Sequence, residues 1–222
     1  MAFFNLTHPI LQTKPRDLDL APLNPSGILS LRWQLGNLTL LNRLYTPVDQ
    51  AFLLWGLATL SIFTLGQFST LDWLTQSKID TALTALSTTA MLHLTYNWSK
   101  QEEILWLGWA WTVLMGGGLA LTHLAIVHAW SLVLLNLCAI WLGLCAVGYG
   151  MTGWGLRSRA MLVTGMVHGV AIVLLPWFGS WQFLATGLIM GFSLWILAEL
   201  RWDMRPSLCP PLLLAPIAQS NF

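Results

Sequence analysis

The pattern of apolar and polar positions along the chain is dominated by long runs without a charged side chain. No Asp, Glu, Lys or Arg occurs from position 104 to position 156. As a single helix, residues 104–149 alone would measure about 69 Å, whereas the hydrocarbon core of a bilayer is about 30 Å thick. The run therefore predicts two membrane-spanning helices, with the chain folding back between His123 and Ser131.

Three other segments fit the same pattern. The uncharged run 160–198 is interrupted by Pro176 and Gly179, which divide it into two spans. A further span follows Pro47, and another, diluted by hydroxyl side chains, follows Lys78. The sequence thus predicts an all-α integral membrane protein with six transmembrane helices, at about 51–68, 79–96, 104–124, 130–149, 160–176 and 182–200.

The basic residues predict the orientation of these helices. With the N-terminus inside, Lys78 is the one basic residue outside, and all the others face the cytoplasm. These others are Lys14, Arg16, Arg32, Arg43, Lys100, Arg157, Arg159, Arg201 and Arg205. We therefore expect both termini to be cytoplasmic in a cell inner membrane, or stromal in a thylakoid membrane.

The segments outside the helical bundle (47–201) have a different character. Residues 1–46 form a proline-containing N-terminal arm, and residues 202–222 form a proline-rich extended tail. Within the arm, residues 29–40 alternate apolar and polar around Gly36-Asn37, which predicts a β-hairpin or, alternatively, an interfacial segment. A lone hairpin needs a surface to cover its apolar face, so its apolar side chains are candidate partner-binding residues. They are Leu29, Leu31, Trp33 and Leu35.

Composition and motifs narrow the function classes. Charged residues make up 9% of the chain, against roughly 25% in soluble domains. The net charge of +1 offers no basis for binding nucleic acid. The three cysteines lack metal-site spacing, and neither a GxSG nor an HExxH motif occurs. These features make an enzyme less expected than a non-enzymatic membrane protein.

Small residues indicate how the helices pack. Gly165 and Gly169 form a GxxxG motif in the fifth predicted helix, and Gly187 and Gly191 form another in the sixth. Because such motifs allow close backbone approach, we expect these two antiparallel neighbours to face each other. A further small-residue face in the fourth helix consists of Ala139, Gly143, Ala146 and Gly150.

Few side chains offer chemistry inside the predicted spans. The carboxylates, Asp80 among them, fall at or near span ends, which argues against a proton relay. His168, between the glycines of the fifth helix, and His93, in the second, are the candidate cofactor ligands. Together they could be the two axial ligands of one haem, although their depths differ by about 7 Å unless the helices tilt strongly, and His168 alone could bind the magnesium of a chlorophyll. The alternative is a histidine that hydrogen-bonds between helices.

The second predicted helix carries a hydroxyl stripe. At 100° per residue, its threonines fall within about 60° of one another. They are Thr81, Thr84, Thr88 and Thr95. Such a stripe either lines a solute path or hydrogen-bonds to neighbouring helices and its own carbonyls.

These observations lead to one leading hypothesis and two alternatives. The arms and hairpin favour a non-enzymatic accessory or assembly subunit of a larger membrane complex, in a photosynthetic or other energy-transducing membrane. Its expected partners are the lipid bilayer and other membrane protein subunits. The alternatives are a small-solute transporter or channel, and a haem- or pigment-binding membrane protein that uses His168.

Overall fold

A computed structural model describes residues 4, 9–14, 29–35 and 38–203, without the side chains of 29–44. This part of the chain is mostly helical. The long helices are α1 (Pro47–Phe68), α2 (Trp73–Gln101), α3 (Leu105–Val127), α5 (Leu137–Leu156), α6 (Arg159–Leu174) and α7 (Gln182–Glu199), and α4 (Ser131–Leu135) is short. Strands β1 (Leu11–Thr13), β2 (Leu29–Leu35), β3 (Leu38–Tyr45) and β4 (Leu200–Trp202) form two small sheets.

Within the described residues, four helical runs are long and apolar enough to cross a membrane. They are α1, α3, α5 and the run Arg159–Glu199, which includes α6, a 3-10 turn (Leu175–Trp181) and α7. Outward-facing side chains such as Leu57, Val113 and Val173 are apolar and exposed. These surfaces are compatible with a lipid bilayer.

Specific residues determine where the helices begin and end. Thr46 and Asp49 form a capping box at the start of α1, with Pro47 at its first position. Asp72 caps α2. Because of this cap, α2 includes polar turns before the predicted span and begins six residues earlier than it. Arg157 ends α5 in a left-handed conformation, and Ser158 caps α6 directly afterwards.

The six long helices run alternately up and down. The Ser77–His123 hydrogen bond joins the start of α2 to the end of α3, and Trp111 reaches Thr152 between α3 and α5. Gln67, at the end of α1, contacts Ser180, just before α7. One end of the bundle, the terminal end, is defined by Pro47, Gln101, Leu105, Leu156, Arg159 and Glu199. The opposite end is defined by Phe68, Trp73, Val127, Leu137, Leu174 and Gln182.

The two glycine motifs pack against different helices, so the expectation that they face each other is wrong. A methyl group on Gly165 would lie 3.0 Å from the carbonyl oxygen of Ala146 in α5. A methyl group on Gly191 would lie 2.5 Å from Leu60 and 3.1 Å from the carbonyl oxygen of Gly56, both in α1. The motif in α7 therefore serves the α1 interface, whereas in the α6 motif Gly165 packs on the small-residue face of α5 and Gly169 has open space beside it.

The terminal end carries the strands. β1 pairs antiparallel with β4, so that part of the N-terminal arm docks on the chain itself. β2 and β3 pair as a hairpin around positions 36–37, with β3 reaching Tyr45 instead of the expected residue 40. The side chains of Leu29, Leu31, Trp33 and Leu35, and the tail from 204 to 222, lie outside the described residues.

Ion pairs and hydrogen bonds of charged side chains stabilise the terminal end of the bundle. Lys14 pairs with the buried Asp49 at 2.6 Å and also donates to the carbonyl oxygen of Ala198. Asp203 accepts hydrogen bonds from the backbone N–H groups of Arg159 and Ala160, the Ser158 hydroxyl and the Arg159 guanidinium. Burial acts to raise the pKa of Asp203, but these hydrogen bonds outweigh it and hold the pKa below its ordinary value.

Candidate functional site: a cavity between the helices

A cavity lies between α1, α2, α3, α5 and α7 and reaches toward the opposite end of the bundle. Its volume is about 50 Å³. Along α2 its lining runs from Trp73, the first residue of the helix, to Thr84, a distance of about 16 Å. One water needs about 10–15 Å³ by this measure, so the cavity has room for about three to five water-sized groups.

Asp80 places a carboxylate in this cavity. Its Oδ1 atom is buried and makes no hydrogen bond to any described residue. Because α2 begins at Trp73, Asp80 lies about 10 Å inside the helix. Asp80 therefore lies within α2 and not at the end of that helix. A buried carboxylate oxygen without a partner is costly to maintain and calls for an explanation.

Trp55 of α1 lines the same cavity. Its side chain is buried, with 9% of its surface exposed, and its Nε1 donor has no partner within the described part of the chain. A buried tryptophan usually finds an acceptor for its N–H. The cavity therefore contains an unpartnered acceptor and an unpartnered donor on facing helices, which is the arrangement that a small polar occupant would satisfy.

The hydroxyl groups of the lining are oriented by their own helices. Thr59 donates to the carbonyl oxygens of Trp55 and Gly56, and Thr122 donates to that of Gly118. Since each hydroxyl proton is used in this way, the oxygen lone pairs remain as acceptors. Ser77 is engaged differently, because its Oγ lies 2.8 Å from Nδ1 of His123.

Aromatic rings and the charge balance complete the lining. Five aromatic side chains contribute, namely Trp55, Phe63, Trp73, Trp141 and Phe183. None of the described residues that line the cavity is basic, and Asp80 is the one ionisable side chain among them. Trp73, which is half exposed, shows that the lining extends to the opposite end of the bundle.

The structure separates the threonines of the predicted stripe. Thr84 is buried and lines the cavity, whereas Thr81 is exposed. Thr81, Thr88 and Thr95 donate to the carbonyl oxygens of Ser77, Thr84 and Met91 in their own helix. The buried polar face of α2 instead follows Gln76, Ser77, Thr84 and Ser87, with Asp80 among them.

The two candidate histidines, His93 and His168, lie in different environments. His93 is exposed on α2. His168 is fully enclosed in α6, with Nδ1 at 2.8 Å from the carbonyl oxygen of Thr164 and its ring against Tyr149. No described contact joins them, and the assignment of haem or chlorophyll to either one stays a prediction. Within the described part of the chain, no group of three His, Cys, Asp or Glu side chains is arranged to hold a metal ion.

A sequence signal for the cavity does exist. Positions 76, 80, 84 and 87 of α2 are polar and recur at helical spacing, which places them on one face of that helix. The signal was missed because the predicted span began at residue 79, which left position 76 outside it and placed Asp80 at its edge. The contributions of Trp55, Thr59 and Thr122 depend on which helices pack together, and no local pattern in the sequence reports this.

Fold and site together define a class: a helical membrane protein whose bundle encloses a cavity with mainly apolar walls and a few polar groups. Comparison with known proteins adds no family to this description, since no protein-family model, curated protein or solved structure matches the chain.

Proposed function

We propose that the protein is a multi-pass membrane protein that binds a small polar solute in the cavity and conducts or transports it. The observation that carries this proposal is the pair of buried, unpartnered polar atoms, Asp80 Oδ1 and Trp55 Nε1, on one cavity. Their desolvation destabilises the protein unless an occupant forms hydrogen bonds with them. Binding pockets commonly combine apolar walls with a few convergent polar groups of this kind.

We further propose six spans with both termini in the cytoplasm or stroma. The up-and-down arrangement supports this, since it brings Pro47, the start of the first helix, and Glu199, the end of the last described helix, to one end of the bundle. Lys14, Lys100, Arg157, Arg159 and Arg201 lie at the terminal end, and Lys78 lies at the opposite end. By the positive-inside tendency, the end of the cavity that Trp73 lines then faces the periplasm or thylakoid lumen.

Solute entry into proteoliposomes tests the proposed function. Purified protein is reconstituted, and light scattering follows the volume change under gradients of urea, glycerol, sodium chloride or methylammonium chloride. We expect at least one solute to enter faster than into protein-free liposomes. Thr84→Val should slow that entry several-fold, because it removes a buried hydroxyl from the lining at nearly constant volume.

Thr88→Val is the matched control for this variant. Thr88 lies one turn further along α2, donates to the carbonyl oxygen of Thr84, and is not part of the lining. The same substitution there should leave solute entry unchanged. Equal effects of the two variants, or the absence of any accelerated solute, would contradict the proposal.

The accessory-subunit hypothesis remains a prediction beside this one. The hairpin side chains and the tail on which it depends lie outside the described residues. Part of the arm is already engaged within the chain through the β1–β4 pairing and the contacts of Lys14. Purification under mild detergent tests it, because an accessory subunit travels with larger partners in stoichiometric amounts.

A further inference from the structure

We infer that the solute is a small cation of the ammonium type, that is, ammonium or a singly methylated ammonium, held between Asp80 and the aromatic walls of the cavity. This inference rests on the proposed function and names the chemical class of its solute. Charge, hydrogen bonding, the aromatic lining and size support it separately.

The carboxylate of Asp80 excludes anions as the solute. Asp80 is the one ionisable side chain among the described lining residues, and its Oδ1 atom is unpartnered. An anion at this position would meet an unshielded carboxylate in a region of low dielectric constant, where repulsion is strong. A cation supplies the counter-charge that the chain itself does not provide there.

The hydrogen-bonding character of the lining favours a donor. Thr59 and Thr122 have committed their hydroxyl protons to carbonyl oxygens of their own helices, so both present acceptor lone pairs to their surroundings. An ammonium group carries several N–H donors and no acceptor. It therefore matches the carboxylate and the two hydroxyl oxygens. The indole N–H of Trp55 requires an acceptor, which a partly hydrated cation brings as a water oxygen.

The aromatic walls distinguish ammonium from a metal ion. Five aromatic rings line the cavity, and ring faces attract organic ammonium groups through cation–π interaction. Hard metal cations such as Mg²⁺ and Ca²⁺ instead take six or more oxygen ligands. The described lining has few oxygen atoms relative to its ring surface, so it is better matched to an ammonium group.

Size sets an upper limit on the solute. Room for about three to five water-sized groups accommodates ammonium or methylammonium with one or two waters. Four methyl groups around the nitrogen would fill the cavity completely and would leave no N–H to donate. Tetramethylammonium should therefore bind at least tenfold more weakly than methylammonium.

Titration of the full-length protein in detergent tests the inference. Isothermal titration calorimetry measures binding of methylammonium chloride at constant ionic strength, with sodium chloride as the balancing salt. We expect saturable binding to the wild type and at least tenfold weaker binding to Asp80→Asn. Asp72→Asn is the matched control, because Asp72 is an exposed carboxylate at the start of the same helix and asparagine also caps helices well.

A second pair of variants covers the case in which Asp80→Asn fails to fold. Thr122→Val removes one acceptor oxygen of the lining, and loss of one hydrogen bond corresponds to about fivefold weaker binding. Thr112→Val is its control on the same helix, because Thr112 also donates to a carbonyl four residues back but lies outside the lining. Methylammonium should bind to Thr112→Val as tightly as to the wild type.

The outcomes separate this inference from the proposed function. Methylammonium binding that persists in Asp80→Asn, or is equal in the two threonine variants, overturns the inference. Binding or entry of urea or glycerol that depends on Thr84, with no response to methylammonium, overturns the inference and leaves the proposed function standing. Failure of every solute to bind or enter overturns both.

Discussion

Asp203 closes the N-terminus of α6, and its replacement by asparagine offers a sharp test of how the terminal end is held together. The carboxylate accepts hydrogen bonds from the backbone N–H groups of Arg159 and Ala160 and from the side chains of Ser158 and Arg159. Its side chain is 5% exposed, so water replaces these contacts poorly. We expect Asp203→Asn to lower stability.

The magnitude follows from the contacts that an amide cannot reproduce. Asparagine keeps one acceptor oxygen for the helix end, but it loses the charge and the second carboxylate oxygen. Loss of a charge-assisted hydrogen bond costs about 1.5–3 kcal/mol, and a helix-terminus charge contributes about 0.3–1 kcal/mol. We therefore expect a loss of about 2–4 kcal/mol, which is a Tm decrease of about 4–16 °C for a chain of this length.

Buried thiols provide the assay. Cys138 and Cys145 are free and buried, so a fluorogenic maleimide reacts with them as the protein unfolds in detergent. Asp72→Asn is the comparison, since Asp72 caps α2 from an exposed position and asparagine caps nearly as well. A Tm for Asp203→Asn within a degree of that comparison would refute the reasoning.

The same variant gives a pH dependence with a definite sign. Hydrogen bonds hold the folded-state pKa of Asp203 below its ordinary value of 3.8. The stabilisation is therefore complete above the unfolded pKa and is lost as the pH falls through the lower folded pKa. The Tm difference between wild type and Asp203→Asn should be constant above about pH 5 and shrink below about pH 4. A difference that stays constant down to pH 3 would contradict this account.

Two further predictions concern packing and the arm. Gly191→Ala should destabilise the protein by about 1–2 kcal/mol, because the added methyl group meets Leu60 and the carbonyl oxygen of Gly56. The control is Gly117→Ala, whose methyl group meets nothing within 4 Å, so it should be neutral or stabilising by up to about 1 kcal/mol. Thermal unfolding followed by thiol reactivity compares the two variants. Lys14→Ala should cost about 1–3 kcal/mol, because it leaves the Asp49 carboxylate buried without its cation. Limited proteolysis should then cut the arm faster, and an unchanged rate would argue against docking through Lys14.

Long uncharged runs made the helices predictable, because each must satisfy its backbone hydrogen bonds internally when lipid surrounds it. The sixth predicted helix, 182–200, agrees closely with α7 (Gln182–Glu199). α2 agrees less well, because its ends are set by the Asp72 cap and by polar turns that hydropathy does not register. The prediction therefore placed Asp80 at the edge of a helix, whereas in the structure it lies inside α2.

Which helices and strands pack against each other could not be predicted from the hydropathy of the sequence. A GxxxG motif shows that a backbone can approach closely, but it does not say which backbone, and Gly191 packs against Gly56 of α1. The pairing of β1 with β4 is equally non-local. Three-residue strands carry too little alternation to be recognised, and their partners lie at opposite ends of the described chain. The cavity has the same origin, since it collects side chains from five helices.

The docking of the arm also has a consequence for the order of events during synthesis. β1 leaves the ribosome before any helix, and its partner β4 leaves after the last one. Lys14 and Ala198, which are in contact, are 184 positions apart. Until the final helix has been inserted, the arm has no strand to pair with and Asp203 cannot cap α6. Completion of the β1–β4 ladder thus reports that insertion has finished, and a chain truncated before Leu200 should keep its N-terminal arm open to protease.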